Sequence, residues 1–223
     1  MFIELVDSLR CPSPHEQTWL VASVTRLEGR DIVDGLLGCP VCRRQFTIRD
    51  GEVDFTDGAE GRESDADAAA REGRDAPREG GDEETLLRLR ALLALGDGGG
   101  VVLLGGNCAA WAFALEDEAQ VLPLLLNAPR HGVARGRYAS ALRTQAVLPL
   151  APGTLRAAWL DSATASGAML DSVVEALRAR GRLVAPASVP VPAGVRELAR
   201  DAYVWVAERA EATPGVPVPL RRR

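Results

Sequence analysis

Cys39-Pro40-Val41-Cys42 places two thiols one tight turn apart, and Cys11-Pro12-Ser13-Pro14-His15 offers a second, looser pair upstream, a thiol and an imidazole. Donors at such spacings suit one tetrahedral zinc ion, which takes cysteine sulfur and histidine nitrogen in any mixture of four. The 23 residues between His15 and Cys39 are enough for a β-hairpin that folds one pair back onto the other. Cys11, His15, Cys39 and Cys42 are therefore the candidate metal ligands. Water or another protein group is the alternative to His15 in the fourth position. Four protein ligands leave no open position for substrate, so zinc held this way is structural rather than catalytic. The plainer alternative, three reduced thiols and an exposed imidazole, leaves the paired spacing unexplained.

Composition removes several other chemistries. All 26 basic residues are arginine, so Schiff-base lysine chemistry and the phosphate-binding P-loop lysine are excluded. With His15 committed to metal, His131 is the one histidine left, too little for a histidine-based triad alongside a metal site. No run approaches the ~20 apolar residues of a membrane span. The opening residues lack the basic start and long apolar core of a secretory signal. The expected setting is the cytoplasm, where four cysteines favour metal over disulfides. The net charge of −5 is carried by residues 58–84, with ten acids and four arginines. The rest is near neutral, and the totals do not demand a basic nucleic-acid face.

The elements that must position these groups fall into three segments. Residues 1–57 read as a small β module: a short helix over Phe2–Leu9, strands over Trp19–Arg26 and Ile32–Leu37, then a hairpin around Asp50-Gly51. Its core is small, and a zinc ion would supply the missing stability. Residues 58–82, without aromatic residues, read as an acidic flexible linker. Residues 83–223 alternate helix and strand patterns. Helices are expected over Glu83–Leu95, Ala109–Leu115, Ala168–Arg180 and Val195–Arg200. Strands are expected over Val101–Leu104, Gln120–Leu126, Ala141–Thr144, Leu155–Leu160, Arg182–Pro186 and Tyr203–Ala207. This rhythm implies an α/β class, with a mostly parallel sheet in a three-layer α/β/α arrangement.

Leu9-Arg10-Cys11-Pro12, Gly38-Cys39-Pro40-Val41-Cys42 and Phe46-Thr47-Ile48-Arg49-Asp50-Gly51 resemble the small zinc-ribbon proteins that partner tRNA, rRNA and protein methyltransferases. The resemblance implies a structural zinc and a protein partner. One departure is that the first pair there is usually Cys-x-x-Cys, whereas position 14 here is proline and His15 is the substitute. Residues 83–210 resemble, in layout, a class I methyltransferase, the Rossmann-like fold that binds S-adenosylmethionine. The matching runs are Val101 to Asn107 (first strand and glycine loop), Leu148 to Leu155 (before the fourth strand), and the helix leading to Gly181-Arg182-Leu183-Val184 (before the fifth).

The departures from that second family fall on its chemistry. Leu103 stands where an acid is usual in the first strand. Asn107, followed by Cys108, replaces the second glycine of the loop. The second strand ends at Asn127 without the carboxylate that holds a ribose diol. Thr144-Gln145 lacks the acid expected to face the adenine amine, and Arg156 replaces the usual aspartate. The connection from Asn127 to Ala139 is short for a helix with its loops. Each buried charged hydrogen bond lost costs roughly 1.5–3 kcal/mol, so tight S-adenosylmethionine binding in the usual pose is not expected. Gly105, Gly106, Asn107 and Asp161 are the positions a cofactor would meet. Their plainer roles are a tight strand-to-helix turn and helix or turn caps. No catalytic residue is assigned.

The favoured expectation is a zinc-binding, non-catalytic scaffold or partner of another protein, such as an active methyltransferase. The alternatives are an active S-adenosylmethionine-dependent methyltransferase with an atypical pocket, and an RNA-binding accessory protein acting through Arg43, Arg44, Arg49 and the Arg221–Arg223 tail. No membrane partner is expected.

Overall fold

The computed structural model describes residues 1–56, 83–96, 98–115, 120–129 and 139–211. The acidic segment 58–82, His131 and the C-terminal proline and arginine runs lie outside the described residues.

Alternating apolar residues build a four-stranded antiparallel meander at the start of the chain. β1 (Val21–Glu28) turns at Gly29, in left-handed backbone, into β2 (Asp31–Gly38). β3 (Gln45–Arg49) turns at Asp50-Gly51, both with positive φ, into β4 (Glu52–Asp54). Phe46, Ile48 and Val53 alternate inward, and the rings of Phe46 and Phe55 pack 4.7 Å apart. A 3₁₀ segment over Ile3–Ser8 precedes the meander and buries Leu5.

After the undescribed stretch, helix α1 (Glu83–Leu93) leads into β5 (Gly100–Gly105), and a 3₁₀ segment over Gly106–Leu115 leads to β6 (Val121–Leu126). β7 (Ser140–Arg143), β8 (Leu155–Trp159), helix α2 (Gly167–Ala176) and β9 (Leu177–Pro186) follow. β10 (Val195–Arg200) and β11 (Val204–Arg209) close the described chain as an antiparallel hairpin. β7, β6, β5, β8 and β9 pair in that order, all parallel, and β11 enters antiparallel between β9 and β10. The parallel strands start with β5 in the middle of this array and wind outward in both directions. A topological switch point therefore lies between β5 and β8, where open α/β sheets leave a crevice.

Both faces are covered, as a parallel sheet requires. Along β5, Leu103 faces one core with Met169, Leu170 and Val173 of α2. Val102 and Leu104 face the other with Leu89 and Leu93 of α1 and Ala109, Ala112 and Leu115 of the 3₁₀ segment. The connection from β7 to β8 carries no helix. The amino-terminal segment packs there instead: Leu9 bridges Leu150, the Arg10 N–H donates to the Pro149 carbonyl at 2.9 Å, and the Ala151 N–H donates to the Ser8 carbonyl at 2.8 Å.

The meander joins the α/β unit through its own backbone. β4 pairs with β7 in parallel, Glu52 to Ala141, Val53 to Leu142 and Asp54 to Arg143, so that all eleven strands form one sheet. The Phe55 N–H donates to the Arg143 carbonyl at 2.8 Å, and the Phe2 N–H to Ser140 Oγ at 2.8 Å. Across the seam Arg143, a residue only 8% exposed, gives Nε to Glu52 Oε1 at 2.9 Å and an NH2 hydrogen to the Ala128 carbonyl at 3.0 Å. One apolar cluster runs from Leu37, Phe46 and Ile48 of the meander to Leu103, Leu142 and Leu183 of the parallel strands.

Two element expectations are corrected. Val195–Arg200 is strand β10, not helix: its helix-favouring residues are overridden by antiparallel pairing with β11, which buries Trp205 completely. The helix expected over Ala168–Arg180 ends at Ala176, and Leu177 already belongs to β9. Arg209 of β11 donates its guanidinium to the Glu175 and Leu177 carbonyls and so closes the helix end there. Trp205 gives its indole N–H to the Val189 carbonyl at 2.7 Å inside the core.

The seam gives a direct test. Truncating Arg143 leaves Glu52 partly buried without its guanidinium partner, which costs about 3 kcal/mol. Arg143→Ala is expected to lower the urea midpoint of the whole protein without changing the slope of the transition. A Glu52→Gln, Arg143→Met double variant should recover part of that loss.

Candidate metal centre and strand-end site

The turn after β2 builds half of the metal cluster from backbone geometry. The Cys39 N–H donates to the Arg44 carbonyl and the Arg43 N–H to the Cys39 carbonyl, each at 2.9 Å, with Arg43 in left-handed backbone. This knuckle aims both sulfurs the same way, and the Cys42 N–H points at Cys39 Sγ, 3.5 Å away. The Cys11–His15 loop meets it, held where the Cys11 N–H donates to the Thr18 carbonyl at 3.1 Å. The donor atoms of Cys11, His15, Cys39 and Cys42 all lie within 4.8 Å of one another, a cluster that can hold a metal ion.

Two donor–donor distances match those of a tetrahedral metal site. Bonds of about 2.3 Å to sulfur and about 2.0 Å to nitrogen, at tetrahedral angles, put two sulfurs about 3.8 Å apart and a sulfur and a nitrogen about 3.6 Å apart. Cys11 Sγ and Cys42 Sγ are 3.7 Å apart, and Cys39 Sγ lies 3.4 Å from His15 Nε2. The histidine tautomer agrees. His15 Nδ1 sits 2.6 Å from the Glu16 carbonyl, which can only accept, so the proton is on Nδ1 and the Nε2 lone pair faces the sulfurs. Three thiolates and a neutral imidazole fit zinc, with no open coordination position.

The thiols differ in environment. The Arg44 backbone N–H, donating to Cys42 Sγ, holds that thiol down at about 6 against the desolvation that opposes it, with Ser13 adding to the effect. Burial pushes the Cys11 thiol up. The hydrogen bond to the Glu16 carbonyl raises the His15 imidazole. Ser13 and Arg44 are supporting residues that spacing alone did not single out. Arg44 donates to Ser13 Oγ at 2.9 Å and its guanidinium lies over the Phe46 ring at 5.4 Å, tying the metal loop to the core.

At the carboxyl ends of the parallel strands, the four cofactor-position residues are brought together, but they face one another. Gly105 ends β5, and Gly106, with a φ of +58°, opens the 3₁₀ segment that follows. The Asp161 carboxylate, past the end of β8, lies over this turn. Its Oδ2 accepts the Asn107 N–H at 2.9 Å, and its Oδ1 accepts the Thr164 N–H at 2.9 Å and the Thr164 hydroxyl at 2.8 Å. A Cβ on Gly106 would overlap that carboxylate, and one on Gly105 would meet Thr164 Oγ1 at 2.5 Å. The glycines are thus required by a side chain of this chain. Thr164 was not singled out from sequence, since a threonine in a turn carries no distinguishing signal.

Asn127 behaves alike. In left-handed backbone at the end of β6, its side-chain oxygen accepts the Thr144 N–H at 2.9 Å and its amide donates to the Thr144 carbonyl at 2.8 Å. The side chain continues the β6–β7 pairing by one residue. Arg156, buried on β8, donates to the Ala94 carbonyl at 2.6 Å and to the Gly99 carbonyl at 3.4 Å, at the far end of the sheet. Cys108 is half-buried. Trp159 stacks on Trp111 with ring centroids 6.1 Å apart. Among the described residues no helix is long and apolar enough to cross a membrane.

No protein-family model matches the chain, and no curated protein matches it. Among solved structures, the antibiotic-resistance methyltransferase Kmr is 13% identical at a TM-score of 0.38, over 57% of this chain and 94% of its own. A Corynebacterium glutamicum protein is 18% identical at 0.40, over 67% and 89%. The Escherichia coli protein yhhF, described as a methyltransferase, is 18% identical at 0.37, over 63% and 94%. Likenesses at these values carry no argument about activity, and the strand order and site geometry above stand on their own.

Metal binding and pH give the test of the cluster. Purified protein is expected to hold one equivalent of zinc per chain, and Cys39→Ala is expected to lose it. Zinc affinity should fall with acidity, because protons compete for the ligands. The fall should steepen below about 6, where Cys42 is protonated even in the metal-free cluster and its proton must be displaced as well. Competition against a chromogenic chelator across pH measures both.

Proposed function

We propose that this chain is a zinc-stapled, non-catalytic protein of Rossmann-like, methyltransferase-like build that serves as a scaffold for a protein partner. The observation that carries this reading is the inward use of the strand-end polar groups. At the switch point, where a cofactor would meet backbone N–H donors and a carboxylate, Asp161 accepts the Asn107 and Thr164 hydrogens and covers the glycine turn. At the ribose position Asn127 closes the sheet against Thr144. A ligand would have to displace these bonds before making its own, and those to the charged Asp161 carboxylate are worth up to about 1.5–3 kcal/mol each. The parallel order with a reversal between β5 and β8 supports the Rossmann-like assignment.

The zinc in this reading is structural. The partner expected from the ribbon's resemblance is another protein, an active methyltransferase being the leading class. The edge of β4 is already paired with β7 of the same chain, so a partner would meet other surfaces. The competing reading, an active S-adenosylmethionine-dependent enzyme, is favoured by one feature, the place of Asp161 at the end of β8 beside the glycine turn.

Calorimetric titration of the zinc-loaded protein with S-adenosylmethionine and with S-adenosylhomocysteine separates the two. The scaffold reading expects no binding up to millimolar ligand. Micromolar binding of either compound would overturn it.

A further inference from the structure

The two edges of the eleven-stranded sheet are built differently. β10, at one edge, carries Arg196, Glu197 and Arg200 in six residues, with Arg200 and Glu197 paired at 2.8 Å. Charges on an edge strand discourage another chain from pairing with it. β1, at the other edge, is uncharged from Val21 to Thr25, and seven of its eight residues are exposed. Its apolar side chains face solvent: Val21 is 63% exposed, Val24 42% and Leu27 50%, with Leu36 beside them on β2. Pairing with β2 is regular from Val21 to Val24 and shifts register between Val24 and Leu27. The regular part of the edge is therefore its uncharged half.

We propose that β1 pairs antiparallel with β1 of a second copy of this chain, making a two-fold dimer through the Val21–Val24 edge. The charge pattern lets this edge pair with its own copy and sets the direction. The charged residues of β1, Arg26 and Glu28, lie in its second half. An antiparallel pair centred on the regular stretch keeps them away from their own copies. A parallel pair sets Arg26 against Arg26 and Glu28 against Glu28, and like charges directly opposite destabilise a strand pair. The antiparallel arrangement is isologous and closes on itself, so it ends at two chains rather than growing a fibre. The other edge, charged on β10, stops extension there.

Sedimentation equilibrium on the full zinc-loaded chain tests this. The expected result is a mass that rises with concentration from 23.7 kDa to twice that value. Val24→Lys and Val21→Lys are each expected to hold it at one chain, with a melting temperature unchanged at concentrations where the native chain is also monomeric, while Leu198→Lys on β10 leaves dimerisation intact. A single-chain mass at every concentration up to about 0.5 mM would overturn the proposal. So would a dimer that survives both β1 lysines, or one broken by the β10 lysine.

Discussion

The parallel pairing of β4 with β7 is the constraint on which the rest of the structure depends. Each side of that seam is incomplete alone. The four-stranded meander has too few apolar residues to bury a core of its own. The α/β unit has no helix between β7 and β8 to cover that part of its face. Val53 and Phe55 from one side and Leu142 from the other close a single core, and the Leu9–Arg10 strand lies where a crossover helix would otherwise run. The Arg143–Glu52 pair fixes the register, because sliding β4 by one residue would reverse its faces and bury Glu52 or Asp54. A metal ion at the cluster would act on this seam from a distance: by holding the Cys11–His15 loop against the Cys39–Cys42 knuckle, it would fix where Leu9 and Arg10 leave the cluster and enter the α/β face.

The same economy governs the strand ends. A switch point normally presents donors and acceptors outward to a ligand. Here a carboxylate and a carboxamide of the chain itself fill those roles, and the glycines that look like a ligand cradle make room for Asp161. Leu160 and Thr164 pack against the Gly105-Gly106 turn and hold the Asp161 carboxylate over it.

Parts of this were legible in the sequence because local chemistry dictates them. The paired cysteines, the Asp50-Gly51 turn and the continuous apolar run Val101–Leu104 each specify their conformation within a few residues. The seam was not legible. β4 is three residues, Glu52–Asp54, with one apolar side chain, and nothing local says that it pairs with a strand about ninety positions on. Val195–Arg200 reads as helix because arginine, glutamate, leucine and alanine favour helix, and only pairing with β11 makes it a strand. The missing acids at Asn127 and Arg156 could be read as losses. That Asn127 and Asp161 turn inward required the coordinates, since an asparagine or aspartate at a strand end faces a ligand or the backbone with equal ease.

The central claim is that the amino-terminal meander with its metal cluster and the parallel sheet are one cooperative unit. Native-state hydrogen exchange, read at Ile48 and Val53 in the ribbon and at Val102 and Leu103 in the central strand, tests it most directly. With zinc bound, all four amides should exchange with the same free energy, that of global unfolding. After chelation, all four should lose protection together. If Val102 and Leu103 kept their protection while Ile48 and Val53 lost theirs, the seam would be an ornament on an independently stable sheet, and the account would be wrong.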